Sequence, residues 1–320
     1  MASHVALVAL FLQNVVSGKP TCWTIAGSDS GGGAGLQADL LTFHDLGVHG
    51  CTVPTALTAQ SSVEVRRVEY PSTDMLRTTL QTLRDDMPAD AIKIGMCGSS
   101  AVIAEVAAFL EAIGGDDMHV VLDPVMVSSS GAHLLDEDAV ATLTRELFPR
   151  CRLVTPNLQE AEALVGRPLR QPADVERAAT ELLAMGCGAV LIKGGHTFDE
   201  PSAEGIAVAQ DLFADGTIKC WLSARRLPTS NTHGTGCTLS SAIVALLARG
   251  LPLLDAITLA KAYVTQGIAA ATQGATRPSN ASQLCLQMLT RLPTSETQLA
   301  RALARWRTRA GQPVATQCHG

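Results

Sequence analysis

The chain has 320 residues, is 47% hydrophobic, and carries 30 acidic against 24 basic side chains. This composition is globular and long enough for one large α/β domain or two small ones. The net charge of −6 argues against nucleic acid as the main partner, because no basic excess is available to neutralise phosphates. The cysteines occur singly, without a Cys-x-x-Cys pair, and therefore favour a reducing, cytoplasmic compartment over a disulfide framework.

The segment "HVALVALFLQNVV" near the start is apolar, but no basic residue precedes it and Lys19 follows it. It is also too short to span a bilayer as a helix, and no other segment is apolar enough to do so. We therefore expect no membrane partner. Residues 1–19 are interpreted as an N-terminal extension that need not be ordered, or as residues upstream of the true start.

From Lys19 onwards, short apolar runs alternate with helical patterns. The predicted strands are Thr21–Gly27, Cys51–Gln60 (weakened by Pro54), Ala91–Gly95, His119–Asp123, Arg152–Pro156 and Ala189–Gly195. Predicted helices include those at about Ala34–Leu46, Ala101–Ala112 and Pro172–Met185. Strands that alternate with helices predict an α/β fold with a mainly parallel central sheet covered by helices on both faces.

One segment departs from this alternation. "GIAVAQDLFADGTIKCWLSA" has two period-two runs joined through Asp215–Gly216, which predicts an antiparallel hairpin at the sheet edge. No linker divides the chain, so we predict one domain over residues 20–275. Residues 276–320 are predicted to form a C-terminal helical extension with a frayed end.

Ligands of such sheets bind beyond the carboxyl ends of the strands, so the loops there carry the functional signals. "GSDSGGGAGLQADL" (Gly27–Leu40) follows the first strand, and its glycines favour close approach of the backbone to a ligand over a merely flexible connection. The dinucleotide fingerprint is rejected, because no acid stands at the end of the second strand. Asp39 either faces this cavity or is solvated, and the sequence favours neither alternative.

Several familiar catalytic motifs are missing from the sequence. There is no Walker A motif, no His-Glu-x-x-His and no Gly-x-Ser-x-Gly. Asp123 follows a strand and is compatible with a simple turn, while Asn157 and Glu160 fit a plain helix-capping box. Lys193 ends a buried strand, where a cation is costly unless it meets an anion.

The segment "NTHGTGC" runs directly into an apolar helix. Gly234 and Gly236 leave the N–H groups of the helix start accessible, which favours an anion, most often a phosphate. Cys237 at this start is either an inert thiol or, because a helix N-terminus lowers a thiol pKa, a base beside the anion. These features predict phosphoryl transfer without a P-loop.

The ordered motifs "TIAGSDSGGGAGLQADLLTF", "TALTAQ", "KIGM", "LDPVM", "TPNLQEAEAL", "AMGCGAVLIKGGH" and "NTHGTGCTLSSAI" resemble the hydroxymethylpyrimidine and phosphomethylpyrimidine kinases of thiamine synthesis. The resemblance runs from about Thr21 to Ala271. It implies a three-layer ribokinase-like fold, a homodimer, and ATP with Mg²⁺. The implied activity is phosphorylation of 4-amino-5-hydroxymethyl-2-methylpyrimidine and then of its monophosphate.

The resemblance also implies roles for individual residues. The pyrimidine would lie against the first glycine-rich loop, with contacts from Gly27, Ala34, Asp39, Gln60 and Met96. Catalysis would use the turn formed by Gly234, Thr235, Gly236 and Cys237. Mg²⁺ would be held by Asp123 and Glu160, and the ATP phosphates by Asn157, Lys193 and Thr232.

The two phosphorylations differ in what they require of Cys237. The first acceptor is an alcohol, which needs a base, whereas the second is already an anion, so Cys237 should assist the first step far more. The family usually ends in a Gly/His-rich segment near the active site, whereas "GATRPSNASQ" stands here. The alternatives are a pyridoxal or pyridoxine kinase, favoured less by Gln60 and Met96, and a non-catalytic phosphate-ligand binder.

Overall fold

The computed structural model describes residues 18–61, 63–114, 118–127, 131, 134–135, 137–194, 208–227, 229, 233–274 and 318–319. The N-terminal extension lies almost wholly outside these residues, as does the predicted helical tail. The exception in the tail is Cys318–His319, which is extended rather than helical.

A ten-stranded sheet organises the described residues, in the order β10-β9-β8-β7-β6-β5-β4-β1-β2-β3. Its strands are β1 (Thr21–Asp29), β2 (His49–Gln60), β3 (Val65–Glu69), β4 (Ala91–Ile94), β5 (His119–Leu122), β6 (Leu153–Val154), β7 (Val190–Gly194), β8 (Val208–Ala214), β9 (Lys219–Arg225) and β10 (Cys318–His319). The run from β2 through β1 and β4 to β7 is parallel, and the strands outside it are antiparallel.

Helices cover both faces of this sheet. They are α1 (Gly35–Asp45), α2 (Thr73–Asp86), α3 (Ser100–Ile113), α4 (Glu137–Glu146), α5 (Leu158–Val165), α6 (Pro172–Ala184), α7 (Thr235–Ala248) and α8 (Leu253–Gly274), with a 3₁₀ turn at Phe148–Arg150. One core packs α1, α7 and α8 on one face, and a second core packs the other helices on the opposite face. No helix among the described residues combines the length and apolarity needed to cross a membrane.

Side chains alternate between these cores along β4 and β5. In β4, Ala91 packs with the α7 side, whereas Ile92 and Ile94 pack with the other core. Lys93 lies between the two isoleucines and points to the α1 and α7 side, because successive strand residues face opposite ways. A charged side chain is thereby placed inside the molecule.

Strand β2 contains a bulge beside its proline. Ala26 pairs with Pro54 but Gly27 pairs with Ala56, so Thr55 is an extra residue. Proline is tolerated at this position because β3 pairs with β2 only from Leu57 onwards, which leaves the proline nitrogen without a ladder partner to satisfy. The Thr55 hydroxyl donates to the carbonyl of Met96, 2.5 Å away, and fixes the loop after β4.

The predicted hairpin is confirmed as β8 and β9, joined through Asp215–Gly216. Oδ1 of Asp215 accepts from the backbone N–H groups of Thr217 and Ile218, and Gly216 has a φ of 84°. This is the turn chemistry that the sequence indicates. The antiparallel edge strand β3 was not predicted, since "VRRVE" has only two apolar residues and no buried neighbour.

Candidate active site

A cavity of about 840 Å³ opens at the carboxyl edge of the parallel strands. Strand β1 has β2 on one side and β4 on the other, so the chain reverses its direction of winding at β1. Such switch points are where α/β sheets bind ligands. All the predicted site residues except two line this cavity: Gly27, Ala34, Gln60, Met96, Asp123, Asn157, Glu160, Lys193, Gly234, Thr235, Gly236 and Cys237. Thr232 lies outside the described residues, and Asp39 is elsewhere.

The two glycine-rich turns pack directly on each other. Gly234 has a φ of 79°, and a Cβ added there would lie 1.8 Å from the carbonyl oxygen of Gly33. In the same way, a Cβ on Gly35 would lie 2.3 Å from the carbonyl oxygen of Gly27. Only glycine permits this approach, which holds the start of α7 against the start of α1.

Cys237 lies where these two helix starts meet. The backbone N–H of Gly35, the first residue of α1, acts on its sulfur and lowers the thiol pKa. Neither α1 nor α7 has a side-chain cap, in contrast to α2 and α3, which begin at capping serines. The starts of both helices line the same cavity, and a helix start favours an anion.

The expectation of a lowered thiol pKa is wrong for this structure. Burial raises the pKa of Cys237 to about 11, and the nearby carboxylates of Asp39 and Asp123 raise it further, while Lys93 and the Gly35 N–H oppose them. Desolvation therefore outweighs the helix dipole. At pH 7 the thiol is therefore almost wholly protonated in the free protein.

Lys193 forms an ion pair beneath the α7 turn. Its Nζ donates to Oδ1 of Asp123 at 2.6 Å, and a Cβ added to Gly236 would lie 3.3 Å from that Nζ. Burial lowers the pKa of Lys193, but Asp123 and Glu160 more than offset this, so its pKa lies above the ordinary value. The anion that this buried cation requires is thus supplied by the protein.

Asn157 and Glu160 form the capping box that the sequence indicated, and they also line the cavity. Asn157 Oδ1 accepts from the N–H of Glu160 at 2.9 Å, and Glu160 Oε2 accepts from the N–H of Asn157 at 2.6 Å. Burial raises the pKa of Glu160 to about 7, Lys193 opposes the rise, and the Asp123 carboxylate adds to it. Glu160 is therefore both a cap and a titrating group.

Two carboxylates that disfavour each other's charge are a chemically suitable pair for a divalent cation. Mg²⁺ prefers oxygen ligands and commonly takes only one or two carboxylates, with phosphates and water completing its shell. Asp123 and Glu160 fit this requirement. Within the described residues, no group of three or more His, Cys, Asp or Glu side chains forms a dedicated metal site.

The end of the cavity at β1 and β2 is suited to a flat ring. Met96 packs in a small apolar cluster with Ala56 and Leu134, and its sulfur would lie 2.9 Å from a Cβ on Gly27. Gln60 adds a polar edge, and its backbone is tied to the glycine-rich loop because its N–H donates to Ser30 Oγ at 2.8 Å.

The predicted contact of Asp39 with substrate is not supported by its position. Asp39 is fully buried, and Oδ2 accepts from Thr24 Oγ1 at 2.6 Å and from Lys93 Nζ at 2.7 Å. Oδ1 accepts from Ser241 Oγ at 2.6 Å. Both oxygens are thus engaged inside the protein, while Lys93 lies in the cavity wall. The signal for Lys93 was present in the sequence as a lysine within the buried strand "AIKI".

Two other pairs were missed. Asp29 accepts from the N–H groups of Gly31 and Ala34 and lies 3.3 Å from His233 Nε2, which ties the two glycine-rich turns together. Burial acts to raise the pKa of Asp29, but these hydrogen bonds and His233 leave it below the usual value. Lys261 on α8 donates to Asp211 Oδ2 at 2.5 Å, and both line the cavity. The sequence signal for the Asp211–Lys261 pair was that each is a single charged residue within an otherwise apolar stretch of its strand or helix.

The sequence profile described as phosphomethylpyrimidine kinase matches residues 29–279. The chain belongs to the phosphomethylpyrimidine kinase family. It is 46% identical over 249 residues to a hydroxymethylpyrimidine/phosphomethylpyrimidine kinase of Rhizobium meliloti, an alignment that covers 78% of this chain and 90% of the relative. The resemblance proposed from the sequence motifs is confirmed, and so is the prediction of a kinase.

Solved structures agree with this membership of the phosphomethylpyrimidine kinase family. The phosphomethylpyrimidine kinase of Clostridium difficile 630 has a TM-score of 0.67 at 37% identity, covering 78% of this chain and all of that one (100%). The pyridoxal kinase of Staphylococcus aureus in complex with AMP-PCP and pyridoxal has a TM-score of 0.71 at 33% identity, covering 79% and 89% of the two chains. The predicted ribokinase-like fold, with a mainly parallel sheet and an antiparallel edge, is confirmed.

Proposed function

We propose that this chain uses ATP to phosphorylate 4-amino-5-hydroxymethyl-2-methylpyrimidine and then its monophosphate, giving the diphosphate for thiamine biosynthesis. The observation that carries the proposal is the convergence, in one cavity, of the α1 and α7 helix starts with the Lys193–Asp123 pair and Glu160. Family membership supports the same reaction. In this proposal the cavity would hold the ring, the transferring phosphate and the nucleotide in separate parts.

The pyrimidine is proposed to lie at the β1 and β2 end. Met96 would pack on the ring face, Gln60 would hydrogen-bond a polar ring edge, and Gly27 and Ala34 would admit the ring close to the backbone. Asp39 is removed from this set because its oxygens are already engaged. The hydroxymethyl group would then point towards the start of α7.

ATP is proposed to lie along the other part of the cavity, with its γ-phosphate at the turn from Gly234 to Cys237. Lys193 and Asn157 would contact the phosphates. Beyond Lys193, the lining combines the apolar residues Ala209, Ala224 and Ile268 with charged ones. The apolar residues would suit a nucleotide base, and the charged ones are Arg225, Arg226 and the Asp211–Lys261 pair.

Mg²⁺ would be held by Asp123 and Glu160. When bound, it would neutralise charge on the phosphates. The raised pKa of Glu160 supports the assignment, since a cation at this place would relieve the repulsion from Asp123.

In the first step the hydroxymethyl oxygen attacks the γ-phosphorus, the bond from that phosphorus to the bridging oxygen breaks, and ADP leaves with the bond electrons. The hydroxyl proton needs an acceptor, and we propose Cys237 Sγ in its thiolate form. In the second step the acceptor is a phosphate oxygen that already carries charge, so no proton acceptor is required. N–H groups at the α7 start would hold the transferring phosphoryl group in both steps.

The cellular location and the oligomeric state of the chain are also proposals. A cytoplasmic location is supported by cysteines that are unpaired throughout the described residues, and a homodimer by the family resemblance. Light scattering checks the second directly, since the 33.4 kDa chain should give a species of twice that mass.

The test is mass spectrometry of the products after the purified chain is mixed with Mg-ATP and hydroxymethylpyrimidine, with pyridoxal in a parallel reaction. A pyrimidine diphosphate is the expected product. A pyrimidine monophosphate alone would restrict the chain to the first step. Pyridoxal phosphate alone would favour the second candidate function, that of a pyridoxal kinase. The structural similarity to the Staphylococcus aureus pyridoxal kinase is the observation that supports this candidate.

A matched pair of variants on α5 strengthens this experiment. Glu160→Gln removes a proposed metal ligand, and Glu162→Gln changes a second cavity-lining carboxylate that instead accepts from the N–H of Leu169. We expect turnover to fall strongly in the first and to persist in the second. Ligand binding by the wild-type chain without any ATP turnover would support the non-catalytic alternative and overturn the proposal.

A further inference from the structure

Lys93 is a fully buried cation that none of the steps above employs. A buried ammonium is costly unless it is paired and hydrogen-bonded, and here it is held by Asp39, which is buried to the same extent. Burial lowers the pKa of Lys93, but Asp39, Cys237 and Asp123 more than offset this, so the side chain stays charged. Such an ion pair needs an explanation beyond stability, because apolar residues would serve stability as well.

The pair lies one helical turn behind the proposed anion site at the start of α7. On α1, Gly35 and Asp39 are four residues apart and share a face. On α7, Cys237 and Ser241 are also four residues apart and share a face. Ser241 donates to Asp39, and the N–H of Gly35 lowers the pKa of Cys237, so the two helices face each other at matching positions. Lys93 extends from β4 in the sheet and donates to Oδ2 of Asp39, the same carboxylate that Ser241 contacts.

The ion pair is oriented with its positive end towards the cavity. Lys93 belongs to the cavity wall, whereas Asp39 does not. A Cβ on Gly95 would lie 2.8 Å from the Lys93 ammonium, so the glycine that follows β4 leaves room for this charge. Asp39 therefore anchors the lysine from behind, and the positive charge adds to that of the two helix starts.

We propose that Lys93 is a positioning residue for phosphoryl transfer, whose fixed charge, anchored by Asp39, favours negative charge on Cys237 and at the start of α7. The Lys93 side chain has no exposed surface, so it would act through Cys237 and the N–H groups at the start of α7 without touching substrate. This inference rests on the proposed kinase function for its kinetic consequences. Its electrostatic part can be tested on the free protein.

The charged groups that act on Cys237 come from four elements of the fold. They are Lys93 on β4, Asp39 on α1, Asp123 after β5 and Lys193 on β7. Lys93 lowers the thiol pKa by more than Asp39 raises it. Removing Lys93 should therefore make the thiol harder to ionise, and removing both charges should have a smaller effect in the same direction.

The experiment measures the rate of Cys237 alkylation by iodoacetamide as a function of pH, read from the mass of the peptide that contains Cys237. The variants are Lys93→Met, Lys93→Met/Asp39→Asn and the control Lys219→Met, which removes the charge of an exposed lysine that donates to Thr180 Oγ1 and does not line the cavity. We expect alkylation at a fixed pH to slow about tenfold for each unit by which the pKa rises. The single variant should be slowest, the double variant intermediate and the control unchanged.

The kinetic arm compares the two phosphorylation steps. We expect both charge variants to lower kcat of the first step with an unchanged KM for ATP, and circular dichroism identifies any variant that has lost its fold. The double variant keeps the test decisive if the single one does not fold, because it leaves no unpaired buried carboxylate. If the folded double variant had the same alkylation rate and the same kcat as the wild-type chain, the proposal would be overturned. A wild-type chain that phosphorylates nothing would overturn the kinase function while leaving the alkylation result to decide the role of Lys93.

Discussion

At the scale of single residues, the protonation of Cys237 decides how it can take part in the reaction. With a pKa raised to about 11 by burial, the thiolate population grows about tenfold per pH unit at all lower pH values. If the thiolate accepts the hydroxyl proton, we expect the rate of the first step to rise with pH between roughly 7.5 and 9.5. The second step should show no such rise, because its acceptor is already an anion.

The measurement follows each step separately against pH, with Cys237→Ala as the comparison. The variant should lose the rise in the first step and retain the second step. Because the pKa of Glu160 is about 7, about three-quarters of it is ionised at pH 7.5 and nearly all of it by pH 8.5, so the rise between pH 8.5 and 9.5 is the part that reports on Cys237. Equal losses in both steps, or an unchanged slope in the variant, would contradict a role for Cys237 as base.

Glu160 provides a second prediction at this scale, about stability. Its pKa is raised by burial from 4.5 to about 7, so the folded state holds the proton more tightly than the unfolded state. The free energy of unfolding of the wild-type chain should therefore fall, relative to that of Glu160→Gln, as pH rises from about 4.5 to about 7, and the difference should stay constant above that range.

Chemical denaturation in metal-free buffer across this pH range provides the measurement. The glutamine can still accept from the N–H of Asn157, so the helix cap is retained and the comparison isolates the charge. Glu111→Gln serves as the control, since that carboxylate is 73% exposed. A difference that is independent of pH would show that Glu160 is not destabilised by its charge.

At the scale of elements, the contact between the two glycine-rich turns positions the site. Gly234 and Gly47 have nearly the same backbone φ, 79° and 74°, but a Cβ on Gly234 meets the carbonyl of Gly33 whereas a Cβ on Gly47 meets nothing within 4 Å. Gly47→Ala should therefore cost only the left-handed strain, about 1 kcal/mol. Gly234→Ala should cost about 3 kcal/mol or more, since backbone must move as well.

Thermal or denaturant unfolding measures the two costs, and kinase assays measure their consequences. We expect Gly47→Ala to keep full activity and Gly234→Ala to lose it, because α7 can no longer begin against α1. If both variants lost the same stability and kept their activity, the packing of the two turns would have no role in the site.

The elements that the sequence predicted well are those whose pattern is local. The parallel strands, the β8–β9 hairpin at Asp215–Gly216 and the capping box at Asn157 each follow from a few adjacent residues. Strand β3 could not be predicted in this way, because Val65–Glu69 is an exposed edge strand whose existence depends on pairing with the end of β2. The bulge at Thr55 likewise depends on a neighbouring strand.

The same distinction separates the site residues. Gly234, Gly236 and Lys193 could be found from position at the carboxyl end of a strand or the start of a helix. Asp39 was assigned to substrate because its helix starts at the cavity, but its orientation is set by Lys93 and Ser241, which are distant in sequence. The pKa of Cys237 depends on the burial contributed by several elements. No local pattern in the sequence reports that burial.

At the scale of the whole molecule, the functional parts lie within a continuous stretch of the chain. The described residues that line the cavity run from Ala26 to Ile268, and the family match ends at residue 279. Strand β1 begins at Thr21, and the described part of the chain begins at Gly18. We therefore predict that a chain of residues 18–279 folds and performs both phosphorylations with unchanged kcat.

One contact argues for a limited role of the C-terminal extension in stability. Cys318–His319 pairs with β9, which would otherwise be an exposed edge strand, and exposed edges invite pairing between molecules. The shortened chain should accordingly show a slightly lower Tm and more aggregation on heating than the full chain, although its kinetics are the same. Calorimetry and light scattering against the full-length protein provide the comparison. Loss of either phosphorylation step in a folded 18–279 chain would instead show that residues outside this range contribute to the active site.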